Sequence, residues 1–570
     1  VDAVARHPDA DGDGHGAADV VLACPDDPAV IDDASDCDDA SDCDDADADV
    51  HPGAVETCNG ADDDCDGVTD GPGAEGASTF YADADGDGRG DAAVATLDCA
   101  AADGWVASAD DCDDADATVH PGAEEVCGDG VDQGCTGSPA GCRLAGRVAF
   151  ADADVTVLGA RIDGHVFRAA FGDVDGDGQV DVVAGNRWYD DERGDARYLP
   201  GPLVGTVDLD DAPVTWNSTD TDANWLGSAV AMVPDDLRLG TSSAAVSQER
   251  YDTTELSAGR VYVFYGTLRD SEYVVESAGG ARFTGEDGGD QLGSLIAPLG
   301  DWDGDAQGEF LIASTTASDG RDTTIGKVYV VDRFSSGVDD ADAILRGTED
   351  NDRAGGAIGS AGDVDGDGLD DALVGSGYAG YYGRVWLVHG GRRGTIDLAM
   401  ADATFDGTAS ADGVGGAVAG GDIDGDGYAD VIVSALGALE RAGEVYVLRG
   451  PVSGDVDRAD ASVILTGEAA GDDAGDVLNV VGDLDGDGRQ EVAIAATQAR
   501  RAYLFYGPIA GSGSVAAADA IFGVDGERPY LTSIVPAGDV DADGHADLAF
   551  VDSSGLAGDG AAYVFFGAGF

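Results

Sequence analysis

One short phrase, Asp-x-Asp-Gly-Asp-Gly or a close variant, returns along this chain at a near-constant interval, and that recurrence limits the fold more than any other feature. In the C-terminal three quarters the loops begin at Asp173, Asp301, Asp363, Asp422, Asp483 and Asp539, at intervals of 128, 62, 59, 61 and 56 residues. Self-similarity at a fixed period marks one supersecondary unit stacked on copies of itself. The first interval is double and conceals another unit. Leu226-Gly-Ser-Ala-Val-Ala-Met-Val-Pro aligns with Leu292-Gly-Ser-Leu-Ile-Ala-Pro-Leu-Gly, and Val261-Tyr-Val-Phe-Tyr-Gly closes the hidden unit. Its loop, Asp235-Asp-Leu-Arg-Leu-Gly, has lost the carboxylates.

Each unit reads as strands. A short apolar run precedes the loop, a second follows it, as in Asp430-Val-Ile-Val-Ser-Ala, and an alternating run ends in glycine, as in Val385-Trp-Leu-Val-His-Gly and Val445-Tyr-Val-Leu-Arg-Gly. A fourth run follows, as in Val463-Ile-Leu-Thr-Gly. Four short antiparallel strands per repeat make one propeller blade, so the expected fold is mainly β, a seven-bladed β-propeller over residues 147–570. The last repeat stops after its third strand, and Val155-Thr-Val-Leu158 is predicted to supply the missing fourth and close the ring. Aromatic strand residues such as Trp386 and Tyr446 read as packing between blades.

The loops read as metal sites. In Asp363-Val-Asp365-Gly-Asp367-Gly-Leu369-Asp-Asp371 the carboxylates stand at places 1, 3, 5 and 9, with a backbone carbonyl at place 7. Calcium takes six to eight oxygens, and the glycines allow the sharp turn that makes these converge. The same register gives Asp173, Asp175, Asp177, Gln179 and Asp181; Asp422, Asp424, Asp426, Tyr428 and Asp430; and Asp539, Asp541, Asp543, His545 and Asp547. Glutamate takes the ninth place in Asp301, Asp303, Asp305, Gln307 and Glu309, and in Asp483, Asp485, Asp487, Arg489 and Glu491.

The first 142 residues differ, holding 39 acids, two bases and all ten cysteines. A tandem unit appears at 42–54 and 111–123, each time Asp-Cys-Asp-Asp-Ala-Asp-Ala-x-Val-His-Pro-Gly-Ala. An aspartate loop precedes each copy: Asp9, Asp11 and Asp13 in the first, and Asp83, Asp85, Asp87 and Asp91 in the second. Two Cys/Asp-rich metal-binding modules are expected, at 1–75 and 76–146. An even cysteine count in a short acidic region predicts disulfides, hence an oxidising compartment, with pairing largely inside each unit and loops of 13 to 15 residues.

At this point two resemblances can be stated. The six loops, flanked by strands rather than by the helices of an EF-hand, resemble the FG-GAP repeats of integrin α subunits, which implies calcium between the first two strands of each blade. The resemblance covers roughly 147–570 and departs from the family in its vacant second unit. The N-terminal pair resembles the MopE-type metal-binding motif of secreted bacterial surface proteins. The first copy ends in Asp64-Cys65-Asp66-Gly67 as the motif does, whereas the second departs at Gln133-Gly134-Cys135. Copper has been linked to that group; His51 and His120 occupy matching places, although a histidine before Pro-Gly is also a common turn residue.

Charge narrows the partners. With 114 acidic and 29 basic residues the formal charge is −85, and Lys327 is the only lysine. Nucleic acid is excluded, and anionic lipid would be repelled. Carboxylates about 4 Å apart repel by ~1 kcal/mol even in water, so cations are the natural counterparts. No apolar run is long enough to span a membrane, and Val1 to Pro8 carry no secretory core, as expected of a processed chain or of a segment of a longer precursor. No Gly-x-Ser-x-Gly, His-Glu-x-x-His or phosphate loop is present, so catalysis is not expected. Arg89-Gly-Asp91 and Arg193-Gly-Asp195 spell an adhesion tripeptide but read as chance in so acidic and glycine-rich a chain. The expected function is a secreted or cell-surface calcium-binding propeller that binds a surface protein or glycan. The alternatives are a filament or coat subunit that binds copies of itself and, last, a propeller-bearing hydrolase.

Overall fold

The computed structural model describes residues 4–6, 21–23, 43–121, 123, 133–135 and 144–567, other than 45, 160–166, 188–192, 219–224, 237–240, 252–256, 267–270, 276–279, 319–322, 378, 380–381, 408–412, 524–528 and 554–559. The chain divides into two compact units, Val1–Gly141 and Cys142–Phe570. Each is described by itself.

The larger unit is built from seven antiparallel sheets. Their first strands are Phe167–Gly172, Leu226–Asp236, Ile296–Gly300, Ala357–Gly362, Val414–Gly421, Ala474–Val480 and Leu531–Gly538. Each first strand packs on the next in this order, and the last packs on the first. Along the strands, period-two alternation puts one set of side chains on each face, and both faces are covered. Seven apolar clusters follow, each lying between two consecutive sheets; Trp386, for instance, is buried with Leu311 and Val328, and Tyr446 with Leu373 and Phe405. A glycine stands before the third strand in six of the seven sheets, Arg500 taking its place in the sixth, and permits the close approach. At Gly383, where φ is +84°, a Cβ would lie 2.1 Å from the carbonyl oxygen of Val414 on the next sheet.

The ring closes through the start of this unit. Val155–Leu158 pairs antiparallel with Ala561–Phe565, which makes it the fourth strand of the last sheet. Gly146–Val148 pairs parallel with Ala520–Phe522 and extends the sixth sheet. That second pairing belongs to a pattern the sequence reading lacked. In six of the sheets a short strand from a following connection, such as Gly394–Asp397 on Ala343–Arg346, adds a fifth, parallel strand at the outer edge. The edges, which would otherwise present unpaired N–H and C=O groups, are covered. The loop of the hidden second unit falls at Asp235 and Asp236, whose side chains, with residues 237–240, lie outside the described residues.

The smaller unit holds a three-stranded sheet of Ser78–Ala82, Asp91–Asp98 and Trp105–Val106. Disulfides join Cys43 to Cys65, Cys58 to Cys99 and Cys112 to Cys135. The first and third are equivalent bridges of the tandem repeat, closing 22 and 23 residues rather than 13 to 15. Two of these three bridges lie inside the expected modules, and Cys58–Cys99 joins one module to the other. The register explains it: Thr57 bridges Glu75, and Ser78 pairs with Asp98, which brings Cys99 beside Cys58. The four remaining cysteines, Cys24, Cys37, Cys127 and Cys142, lie outside the described residues.

Phe150, 1% exposed, sits between the closing segments and packs on Phe522, Phe550, Tyr563 and Phe565 of the last two sheets. Phe150→Ala should destabilise the larger unit by about 3–5 kcal/mol, read as a lower midpoint in denaturant titration.

Candidate metal centres

The six intact loops share one hydrogen-bond scaffold, which follows from the short reach of aspartate to backbone N–H groups two to five residues on. At Asp363 the Oδ1 atom accepts from the N–H groups of Gly366 (2.7 Å) and Asp367 (3.0 Å), and Oδ2 from Gly368 (2.8 Å). Asp365 accepts from Asp367, and Asp367 from Leu369. The same pattern recurs at 173–179, 301–307, 422–428, 483–489 and 539–545. The residue at place 7, namely Gln179, Gln307, Leu369, Tyr428, Arg489 or His545, turns its N–H onto the place-5 carboxylate.

The ninth carboxylate is buried and ties the loop to its sheet. One oxygen of Asp181, Asp371, Asp430 and Asp547 accepts from the N–H at place 2, and the other from a glycine beyond the third strand, Gly201, Gly390, Gly450 or Gly567. Glu309 and Glu491 accept the place-2 N–H of Trp302 and Leu484. Places 1, 3 and 9 converge: oxygens of Asp173, Asp175 and Asp181, and of Asp301, Asp303 and Glu309, lie within 4.8 Å of one another. Burial first, then the neighbouring carboxylates, pushes the ninth group up, to about 6 for Asp371 and Asp430, about 7 for Asp547 and about 8 for Glu309 and Glu491.

Consecutive loops also touch. The N–H groups of Asp370, Ala429, Gln490 and Ala546 donate to the place-1 carbonyls of Asp301, Asp363, Asp422 and Asp483 in the preceding loop. The side chains of Tyr428, Arg489 and His545 lie against Gly366, Gly425 and Gly486, where a Cβ would come to 2.6, 3.3 and 2.5 Å from them.

Two further loops stand in the smaller unit. Asp83, Asp85 and Asp87 form the same scaffold, with Gly86 and Gly88 donating to Asp83 and Arg89 to Asp87. Asp91 gives an oxygen to Ala93 of its own strand. The carboxylate set against Asp85 and Asp87 is Asp111, from the tandem motif, and burial and those two charges raise its pKa. One oxygen each of Asp85, Asp87 and Asp111 is buried without a hydrogen bond. The other loop was not recognised in the sequence. Asp62 accepts from Asp66 and Gly67, Asp64 from Asp66 and Asp66 from Val68, and Glu56 brings an oxygen within 4.8 Å of Asp62 and Asp64. Its signal, Asp62-x-Asp64-x-Asp66-Gly67, lay inside the cysteine motif. Asp9, Asp11 and Asp13 lie outside the described residues.

Other candidates resolve differently. Asp111, Cys112 and Cys135 are close, but the two sulfurs are bonded to each other and supply no thiolate. His51 and His120 turn Nδ1 toward the carbonyls of Pro52 and Pro121, both at 3.3 Å. Asp195 of the second Arg-Gly-Asp is buried and bound by Arg197 (2.8 Å). Lys327 pairs with Glu286.

Known proteins give a matching picture. Residues 42–71 and 111–139 match the MopE-type Cu-binding family, described as a "putative metal-binding motif", and residues 414–448 match the FG-GAP repeat. Integrin alpha pat-2 of Caenorhabditis briggsae is 34% identical over 133 residues, which is 22% of this chain and 11% of that protein. The chain thus spans about a tenth of that relative. Among solved structures, BBS1N, crystallised with ARL6DN, aligns at 10% identity over 71% of this chain and 93% of its own, with a TM-score of 0.38. The Dos1 propeller aligns at 9% over 69% and 80%, with a TM-score of 0.38. Alignments this loose add no weight to the strand order itself. The chain carries two MopE-type motifs and an FG-GAP repeat on a propeller of mainly β structure.

The raised ninth carboxylates fix a sign for pH dependence. In the unfolded chain they ionise near pH 4, in the fold only at about 6 to 8. The fold therefore holds protons that the unfolded chain has released, and this contribution to stability is lost as pH rises through that window. In chelator the melting temperature should fall between pH 4 and pH 8; excess calcium should remove the fall.

Proposed function

We propose that this chain is a calcium-loaded adhesion or partner-binding protein that works outside the cell through surfaces rather than catalysis. The observation that carries the reading is the repeated scaffold, in which backbone N–H groups hold several carboxylates at one point while leaving oxygens for a cation. Asp424 shows the fit: its side chain is 9% exposed, and its Oδ1 is buried with no hydrogen bond. The donors are all hard oxygens, which suit calcium over copper or zinc. Places 1, 3, 5 and 9 of each propeller loop, with the carbonyl at place 7, would hold the ion; in the smaller unit Asp83, Asp85, Asp87 and Asp111, and Glu56, Asp62, Asp64 and Asp66, would do so. A bound calcium supplies the positive charge that lets these groups stay ionised at close range.

The oxidised cysteines favour an oxidising compartment. The integrin alpha match favours a protein or glycan of another surface as the partner, met by a seven-bladed ring made rigid by its metal. A rigid face binds at a smaller ordering cost than a loose one.

If each of six loops binds with a dissociation constant ten-fold below the ambient concentration, calcium adds ~1.4 kcal/mol per loop, or about 8 in all. Chelation should lower the melting temperature sharply, and Asp365→Ala should lower it by less. A melt unchanged in chelator, with no calcium by elemental analysis, would refute the metal assignment.

A further inference from the structure

The six propeller loops are alike in backbone and unlike in what stands against their carboxylates. In three of them an arginine of this chain already contacts an acid that would hold the metal, and in a fourth a histidine does. Arg393 binds Asp303, the place-3 group of loop 301–309, and also Asp342 at 2.7 Å. His389 Nδ1 lies 3.0 Å from Oδ2 of Asp365 in loop 363–371. Arg449 lies 2.5 Å from Oδ2 of Asp424 in loop 422–430, and Arg489 lies 3.0 Å from Oδ2 of Asp487 in loop 483–491. His389 and Arg449 come from one structural position, the residue before the glycine that binds the ninth carboxylate. In loops 173–181 and 539–547 that position holds Pro200 and Phe566. Among the described residues no Lys, Arg or His contacts the carboxylates of these two loops.

The two loops without a cation are neighbours in space. They belong to the first and last sheets, whose first strands pack together where the ring closes. Val180, Ala537 and Val540 share one apolar cluster across that seam. The hydrogen bond that links loops 301, 363, 422 and 483 to their successors has no counterpart there: among the described residues, none joins loop 539–547 to loop 173–181. At the seam, then, the loops have like charge and, among the described residues, neither a resident cation nor a backbone tie.

We propose that the loops fall into two calcium affinity classes, a weak class at 301–309, 422–430 and 483–491 held by Arg393, Arg449 and Arg489, and a tight class at 173–181 and 539–547 whose calcium staples the ring shut. The inference rests on the calcium reading above. A resident cation offsets the repulsion within an empty loop, so that loop gains less when calcium arrives, and the ion must enter against a like charge. A unit charge beside a carboxylate shifts its affinity for a proton by about one to three powers of ten, and a divalent ion feels the same field twice. Loops lacking that charge fill first. The three arginine-latched loops keep their shape at low calcium, and the seam does not.

The test is calcium titration calorimetry on the full chain stripped with chelator, together with hydrogen exchange at Val155–Leu158 and Ala561–Phe565, the pair that closes the last sheet. Asp175→Asn and Asp541→Asn should each remove a tight site and leave the closing pair exchanging fast at calcium levels that protect the parent protein. Asp424→Asn should remove a weak site and leave that protection unchanged. Arg449→Met, at a position 43% exposed, should move one site from the weak class toward the tight one, by about ten-fold or more. Calcium binding in which Arg449→Met changes no affinity, or in which Asp541→Asn spares every tight site, would overturn the two classes while leaving the calcium reading intact. No calcium uptake at all would overturn both.

Discussion

A buried carboxylate at the ninth place is the joint on which each loop turns, and in four of the six both of its oxygens are committed to backbone N–H groups. Asp371 illustrates it: Val364 donates from within the loop and Gly390 from beyond the third strand. Removing such a group would leave two buried donors unpaired, at about 1–3 kcal/mol each, so the ninth place is structural before it is a ligand. It couples the metal to the sheet. The first strand leads into the loop, the second begins at the ninth residue, and the third ends near the glycine that completes the bond. An ion held at places 1, 3 and 5 therefore bears on three strands, although it touches only a surface turn.

This arrangement explains what could be read from the sequence. Period-two runs punctuated by Gly and Asp declare strands, and a regular spacing declares stacked copies, so the mainly β propeller and the metal motifs were legible. What could not be read depends on contacts remote in sequence. Gly394-Thr-Ile-Asp397 has too few residues to show alternation and becomes a strand only because Ala343–Arg346 offers an open edge. Cysteine spacings of 13 and 15 measured the repeat rather than the bonds, since equivalent residues of two copies share a spacing whether or not they touch. Asp111 lies more than twenty residues from the loop it faces. A local register assigns the closing role to Asp91, whereas folding of the tandem motif supplies Asp111.

The sparse cations take on meaning in such an acidic chain. With 29 basic residues against 114 acidic ones, acids outnumber bases nearly four to one. Yet several arginines stand where carboxylates have been forced together: Arg393 between Asp303 and Asp342, Arg449 on Asp424, Arg458 on Glu444. Exposed pairs of this kind contribute little, roughly 0–1 kcal/mol. Asp424 and Glu444 are not exposed, at 9% and 4%, and there the guanidinium offsets a repulsion that solvent cannot screen well.

A ring differs from an open stack in having one interface that the chain cannot build until its ends meet. The six other interfaces join sheets adjacent in sequence, whereas the seventh joins the last sheet, completed by Val155–Leu158 from the start of the unit, to the first. The entropy of closing so long a loop grows only slowly with length, so distance alone does not make the seam weak. Phe150 fills the core between the sixth and seventh sheets, and Phe167 and Phe171 help fill that between the seventh and first, over which stand two acidic loops whose carboxylates no Lys, Arg or His contacts among the described residues. Repulsion there acts on the interface least constrained by chain connectivity. A divalent ion in each loop would cancel about half the charge of its four carboxylates, so the seam would gain from a bound cation where the arginine-latched interfaces already hold one.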